Sequence, residues 1–239
     1  MAEQMTQEQI DWQERVNSET SPTNNKEFDK NGYLILRNLW DPKDLFCNPP
    51  HLKGQYNYFG KIEKFSRVEV EQQVEGSTSR YYWPPYKFAH SQIRLKLEKE
   101  IGKKLYNTYY YDRFYNPGQE LKNHADRPAC EISVTIHISS NVSNPWPIWI
   151  KTPDTYDDSK KKTNIITKGE NRSVILNPGD GMVYKGCERP HWREPLPREY
   201  KRTWYGKKVE IEGLYYHQVF FHYVLADGLR AHCANDMAS

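Results

Sequence analysis

His124 and Asp126 stand two residues apart, and His191 follows later in the chain, beyond the turn-like run Gly179-Asp180-Gly181. Two imidazoles and one carboxylate on one side of a divalent iron ion leave its remaining positions open, so the chemistry on offer is activation of small molecules at a redox metal. A bare His-x-Asp is weak evidence for this. Taken alone, His191 reads as a partly buried histidine near a turn, and Asp126 as a turn or capping carboxylate ahead of Pro128. The metal reading therefore depends on elements that bring the three together. On a strand, residues 124 and 126 share a face while Ala125 turns away, and the third ligand must return on a different strand.

The elements can be read from periodicity. With 239 residues the chain can bury one good core, and one domain is expected. Residues 1–26 are polar and bury too little to offset the entropy of ordering, so they read as a flexible segment ahead of a single domain spanning 27–239. Tyr33 to Leu36 reads as a short strand after the Asn31-Gly32 turn. From Pro49 to Tyr86 the chain has many aromatics and little periodicity, and reads as irregular covering loops, with Trp83, Tyr86 and the later Trp192 read equally as a pocket rim or as core packing. Ile93, Leu97, Ile101 and Leu105 recur every fourth residue and predict an amphipathic helix on the outside of a sheet. The tyrosine-rich run 106–114 and the alternating run 131–139 predict strands. Further strands are expected at 146–150, 172–176, 182–184, 191–195 and 215–223. One helix followed by about eight strands points to a sandwich or barrel.

Composition narrows the function classes. The 34 basic and 31 acidic residues leave a net charge of +3, which does not demand a polyanionic partner. Lys160-Lys161-Lys162 lies in a polar stretch, 154–168, that reads as a solvated loop. No apolar run approaches the roughly 18 to 20 residues that cross a bilayer, and the N-terminus lacks a signal-peptide pattern, so a cytoplasmic protein with no membrane partner is expected. Cys47, Cys130, Cys187 and Cys233 are irregularly spaced and suit reduced thiols better than disulfides or a zinc site.

The pattern around the candidate ligands is larger than three residues: Tyr115-x-Pro117-Gly118-Gln119-x-x-x-x-His124-x-Asp126, then Gly179-Asp180-x-x-x-Tyr184, then Pro190-His191. With it the chain resembles the iron(II)- and 2-oxoglutarate-dependent dioxygenases, nearest to their prolyl-4-hydroxylase-like branch, over about residues 93–224. The resemblance implies a mainly β (α+β) fold, a double-stranded β-helix of jelly-roll or cupin-like form with flanking helices and a barrel core of about 106–224. It implies Fe(II) held by His124, Asp126 and His191, with 2-oxoglutarate and dioxygen at the open positions. It also implies hydroxylation of a C–H bond of a peptide, prolyl positions included, or of an amino-acid-like small molecule.

The chain departs from the family at the anchor for the far carboxylate of 2-oxoglutarate. Relatives place a Lys or Arg on the last barrel strand, where this chain has Tyr215-Tyr216-His217-Gln218-Val219-Phe220-Phe221 after an inserted loop, 197–213. Arg193 is the first replacement, because two residues beyond His191 a regular strand faces the same cavity. Its bland alternative is a surface arginine paired with Glu194 or Asp180. His217 is the second candidate and Tyr115 a further donor; Lys201 and Arg202 rank lower. Arg127 is a candidate substrate contact if the chain turns at Pro128. His137 and His222 read as core or pocket-lining histidines rather than ligands.

Two other functions compete. Oxidative demethylation of nucleic acid uses the same ligand set with a basic groove and stacking aromatics, and the near-neutral charge disfavours it. A non-enzymatic cupin-like protein could hold a different metal; absence of 2-oxoglutarate turnover would support that reading.

Overall fold

The computed structural model describes residues 25–45, 60–61, 66–152 and 169–236. The expected flexible segment before residue 25, the lysine run at 160–162, Cys47 and the aromatics Tyr56, Tyr58 and Phe59 lie outside these residues. The helices are α1 (Lys26–Asn31), α2 (Pro42–Leu45) and α3 (Tyr86–Ile101). The strands are β1 (Tyr33–Leu36), β2 (Gly60–Lys61), β3 (Arg67–Val70), β4 (Thr78–Tyr81), β5 (Leu105–Tyr115), β6 (Leu121–His124) and β7 (Ile132–Ser140). They continue as β8 (Ile148–Thr152), β9 (Glu170–Val174), β10 (Gly181–Lys185), β11 (His191–Arg193), β12 (Tyr200–Arg202), β13 (Lys208–Glu210) and β14 (Tyr216–Leu225).

Eight strands form one sheet in the order β1-β10-β7-β14-β5-β4-β3-β2, and four form a second in the order β6-β11-β8-β9. In every described pair the strands run antiparallel. The chain alternates between the two sheets, and this interleaving is the double-stranded β-helix. The alternation of β7 explains the layering. Val134, Ile136 and Ile138 join the main apolar core with Ile93, Leu97 and Ile101 of α3. Ser133, Thr135 and His137 point the other way, to the interior between the sheets, and are buried too. Helix α3 thus covers the apolar outer face of the large sheet. His90 of this helix is packed against Tyr110, Phe221 and Tyr223. The cap residue Gly102, at φ 67°, ends the helix and accounts for the difference from the periodicity, because Leu105 is already the first residue of β5.

One expectation is corrected. Part of the 49–86 stretch is not irregular, since β3 and β4 extend the large sheet beside β5. All four residues of β4 are buried, so Thr78-Ser79-Arg80-Tyr81 shows no polar-apolar alternation, and Arg80 is tolerated because it is paired with buried Asp112. Of its two readings, rim or core, Tyr86 takes the core: it is buried, and its hydroxyl bonds Asp112. The insertion at 197–213 contains the small β12–β13 ribbon. Cys130, Cys187 and Cys233 are free thiols, and no helix among the described residues is long and apolar enough to cross a membrane.

Buried neutral histidines give this fold an acid sensitivity. Burial lowers the pKa of His90 to about 3, against the usual 6.5. The unfolded chain therefore binds a proton below about pH 6.5 that the folded chain refuses, and stability falls as pH drops below that value, at about 1.4 kcal/mol per pH unit for one such residue. Urea titrations of wild type and His90→Asn at pH 7 and pH 5 should show the variant losing less stability on acidification, by roughly 2 kcal/mol. Equal losses would assign the acid sensitivity elsewhere.

Candidate metal centre

Strand β6 ends at His124, and β11 pairs with it so that His191 lies directly opposite His124. The two rings stand 4.4 Å apart between centroids. Asp126 is not on the strand, contrary to the simplest reading of the two-residue spacing. The chain has left β6 by Ala125, and the Asp126 N–H donates to the carbonyl of Gly186 at 2.9 Å, just after β10. Asp126 nevertheless reaches the same point. Its Oδ1 lies 3.4 Å from His124 Nε2 and 3.5 Å from His191 Nε2. All three residues place a donor atom within 4.8 Å of the other two.

The protonation of these groups suits a cation. A carbonyl oxygen can only accept, so His124 Nδ1–H donates to Lys122 O at 2.8 Å and His191 Nδ1–H to Arg189 O at 2.9 Å. Both rings are thereby fixed with the Nε2 lone pair turned to the common point. Burial opposes charge on Asp126, but the imidazoles of His191, His124 and His222 outweigh it and hold its carboxyl below the usual range. Burial also lowers the pKa of His191, which favours its neutral, metal-binding form. Burial also opposes charge on His124, but the hydrogen bond and charge of Asp126 raise its pKa, so a cation binding there takes the place of a proton. Two imidazoles and one carboxylate form a donor set that fits divalent iron.

Around the triad the interior splits into two sides. On one side lies Arg193, fully buried, its guanidinium carbon 4.5 Å from the ring centre of Trp146 and 4.9 Å from that of Tyr216. Nη1 donates to the Trp146 carbonyl at 2.6 Å, while Nε and Nη2 have no hydrogen-bond partner among the described residues. It is therefore not the surface arginine of the bland reading, and Asp180 pairs instead with Arg37 at 2.6 Å. Tyr115 is buried on the same interior face, edge-on to Trp146 at 5.0 Å. Its hydroxyl accepts from Arg113 at 3.2 Å.

His217 is not brought to this site. It follows Tyr216 on β14 and so faces the opposite side of the sheet, stacked on Phe114 at 4.0 Å with Nε2 3.1 Å from Asp112. Arg127 lies 4.4 Å over the Tyr109 ring and is paired with Asp236 near the C-terminal end. Lys201 and Arg202 are exposed on β12, in a ribbon apart from both main sheets.

Three further residues were not singled out from the sequence. Arg113 is buried on the inner face of β5, bonded to Ser79, Tyr115 and Gln73 and 3.3 Å from Glu71. Ser133 donates to the second oxygen of Asp126 at 2.9 Å. Gln73 lies in the connection between β3 and β4, 2.8 Å from His124 Nε2. Because an arginine can only donate, the Gln73 oxygen must face Arg113, which leaves its NH2 donating to His124. The one signal for Ser133 was its place on the polar side of an alternating strand. Beside Gln73 a cavity of about 680 Å³ reaches His124, lined among others by Glu71, Glu75, Gln119, Glu120 and Lys122.

No family model matches the chain, and no curated protein does. Among solved structures it is similar to an oxidoreductase of the 2OG-Fe(II) oxygenase family from Burkholderia pseudomallei, at 10% identity over 91% of this chain and 97% of that one, with a TM-score of 0.55. The fold is shared with that oxygenase. It is also similar to EctD from S. alaskensis with bound Fe, at 12% identity over 86% and 78% of the two chains and a TM-score of 0.52. At these identities the likeness concerns the double-stranded β-helix and its strand order.

The Gln73 contact competes with a metal, since one lone pair cannot serve both an amide proton and an ion. A typical net hydrogen bond is about 0.5 to 1.5 kcal/mol, so Gln73→Ala should bind Mn(II) up to roughly tenfold more tightly by calorimetry. An unchanged or weaker affinity would show that the contact does not compete.

Proposed function

We propose that this protein is an iron(II)- and 2-oxoglutarate-dependent dioxygenase that hydroxylates a C–H bond of a peptide or amino-acid-like small molecule. The observation that carries the reading is Arg193. A buried guanidinium without a carboxylate partner costs several kcal/mol, and the rings of Trp146 and Tyr216 offset only part of that. Its unpartnered Nε and Nη2 form one edge of the guanidinium, the edge that grips a carboxylate bidentately. The residue lies two positions beyond the ligand His191. A ligand with one end at the triad and a distant carboxylate at Arg193 is what 2-oxoglutarate offers.

In this reading His124, Asp126 and His191 hold the iron. With dioxygen and 2-oxoglutarate the metal supplies the oxidation, in which substrate R–H, dioxygen and 2-oxoglutarate give R–OH, succinate and carbon dioxide. The protein's own part is placement. Lys122 O and Arg189 O keep both imidazoles turned to the metal. Arg193 anchors the cosubstrate, and Tyr115 and Trp146 wall the space beside it. The cavity that reaches His124 is the substrate approach in this reading, and Glu71, Glu75 and Glu120 on its wall disfavour the phosphate backbone of a nucleic acid. Arg127, over Tyr109, stands as a substrate contact at the mouth.

Arg193→Leu should raise the Michaelis constant for 2-oxoglutarate about a hundredfold or more, the scale expected when one partner of a buried charge pair is removed, while iron affinity stays at the wild-type value. An unchanged constant would remove Arg193 from the cosubstrate site. A mass-spectrometric screen of peptides and amino acids for a gain of one oxygen atom, dependent on both iron(II) and 2-oxoglutarate, tests reaction and substrate together. Failure to form succinate from 2-oxoglutarate in folded, iron-loaded protein would sink the enzymatic reading.

A further inference from the structure

The second oxygen of Asp126 belongs to a hydrogen-bonded chain that runs away from the other two ligands. Ser133 Oγ lies 2.9 Å from Asp126 Oδ2, 2.9 Å from His222 Nδ1 and 3.2 Å from the Cys130 carbonyl. A serine hydroxyl has one proton and two lone pairs. The carboxylate is the charged and nearer of the two oxygen acceptors, so the proton goes to Asp126. His222 Nδ1 must then be the donor to Ser133, and its Nε2 must carry a lone pair. That Nε2 is buried and has no hydrogen-bond partner among the described residues. The His222 ring has little freedom to do otherwise, being stacked on Tyr109 at 4.5 Å and near Tyr111 at 5.7 Å.

From this proton accounting we infer that Ser133 and His222 are positioning residues for the metal centre: the chain His222 Nδ1–H to Ser133 Oγ–H to Asp126 Oδ2 occupies one carboxylate oxygen and leaves Oδ1 alone as the metal ligand. A carboxylate free to rotate could offer both oxygens to the ion and fill a position that a small molecule needs. The chain prevents that rotation. Cys130, Asp126 and His222 also converge closely enough to suggest a second ion. However, Cys130 Sγ is engaged with the Tyr109 hydroxyl at 3.1 Å, and burial raises the pKa of its thiol, which disfavours the thiolate that a metal requires.

The inference rests on the triad being a metal centre, and its test uses Co(II), which needs no turnover. Ser133→Ala and His222→Leu should each weaken Co(II) affinity tenfold to a hundredfold, the scale for hydrogen bonds behind a ligand. Each should also change the visible Co(II) spectrum as Asp126 shifts its binding mode. Ser133→Thr keeps the hydroxyl, and His222→Asn keeps an N–H donor close to the Nδ1 position; both should stay within about threefold of wild type. Nitrogen-detected NMR of the metal-free protein should find His222 as the Nδ1–H tautomer, a readout independent of any metal. An Nε2–H tautomer, or wild-type affinity and spectrum in both Ser133→Ala and His222→Leu, would overturn the inference. If the wild type itself binds no Co(II), the metal reading fails instead.

Discussion

The site depends first on one register, the pairing of β6 with β11 that sets His191 opposite His124. A slip of one residue by either strand would turn its imidazole to the outer face and away from the other, because side chains alternate along a strand. The register is held on the other flank by β8, where His191 pairs with Ile150 and Trp192 with Trp149. Asp126 lies outside this ladder and needs separate anchors. They are the Gly186 carbonyl for its N–H and Ser133 for its far oxygen. Gly186 is glycine for a local reason: a Cβ there would come closer than 3.0 Å to Asp126 Oδ2, the Cys130 carbonyl and Ser133 Oγ.

Stability and chemistry are assigned to opposite faces of the large sheet. The outer face carries Val134, Ile136, Val219, Phe221 and Tyr223 beneath α2 and α3, and supplies the continuous apolar burial a domain of this size requires. The inner face carries Arg113, Ser133, Thr135, His137 and Gln218, all buried. Such a lining would be a poor core on its own, since buried polar groups cost free energy unless they are paired. It is affordable because the outer layer holds the sheet in place without it.

Much of this was legible in the sequence. The alternation of β7, the four-residue repeat in α3 and the two-residue step from His191 to Arg193 all gave the observed faces. Other features were not legible, for physical reasons. Alternation shows that a strand has two faces but not which one looks inward; here the polar face does, because a helix covers the apolar one. That is why Ser133 carried no evident role. His217 is the same problem in reverse, since only the orientation of its neighbour Tyr216 reveals that it faces Asp112. Strand β4 is buried on both sides and shows no period at all. The position of Asp126 depends on Gly186, which is remote in sequence, and no local pattern encodes it.

The buried charges of the domain differ in a way that bears on ligand binding. Arg80 has a carboxylate on it at 2.5 Å from Asp112, a group held ionised despite burial by Arg80 and His217 together. Arg113 has Glu71 at 3.3 Å and several hydroxyl and amide partners besides. Arg193 has one backbone carbonyl and two aromatic faces. All three are buried, so a similar desolvation cost applies to each, and of the three only Arg193 has no anion on it among the described residues. Under the proposed function the missing carboxylate comes from the ligand, at one end of an interior whose other end is bounded by the Tyr109, Tyr111 and His222 rings. That proposal also makes selectivity a matter of reach: an acid that binds at the triad but is too short to meet Arg193 would leave the buried cation unpaired.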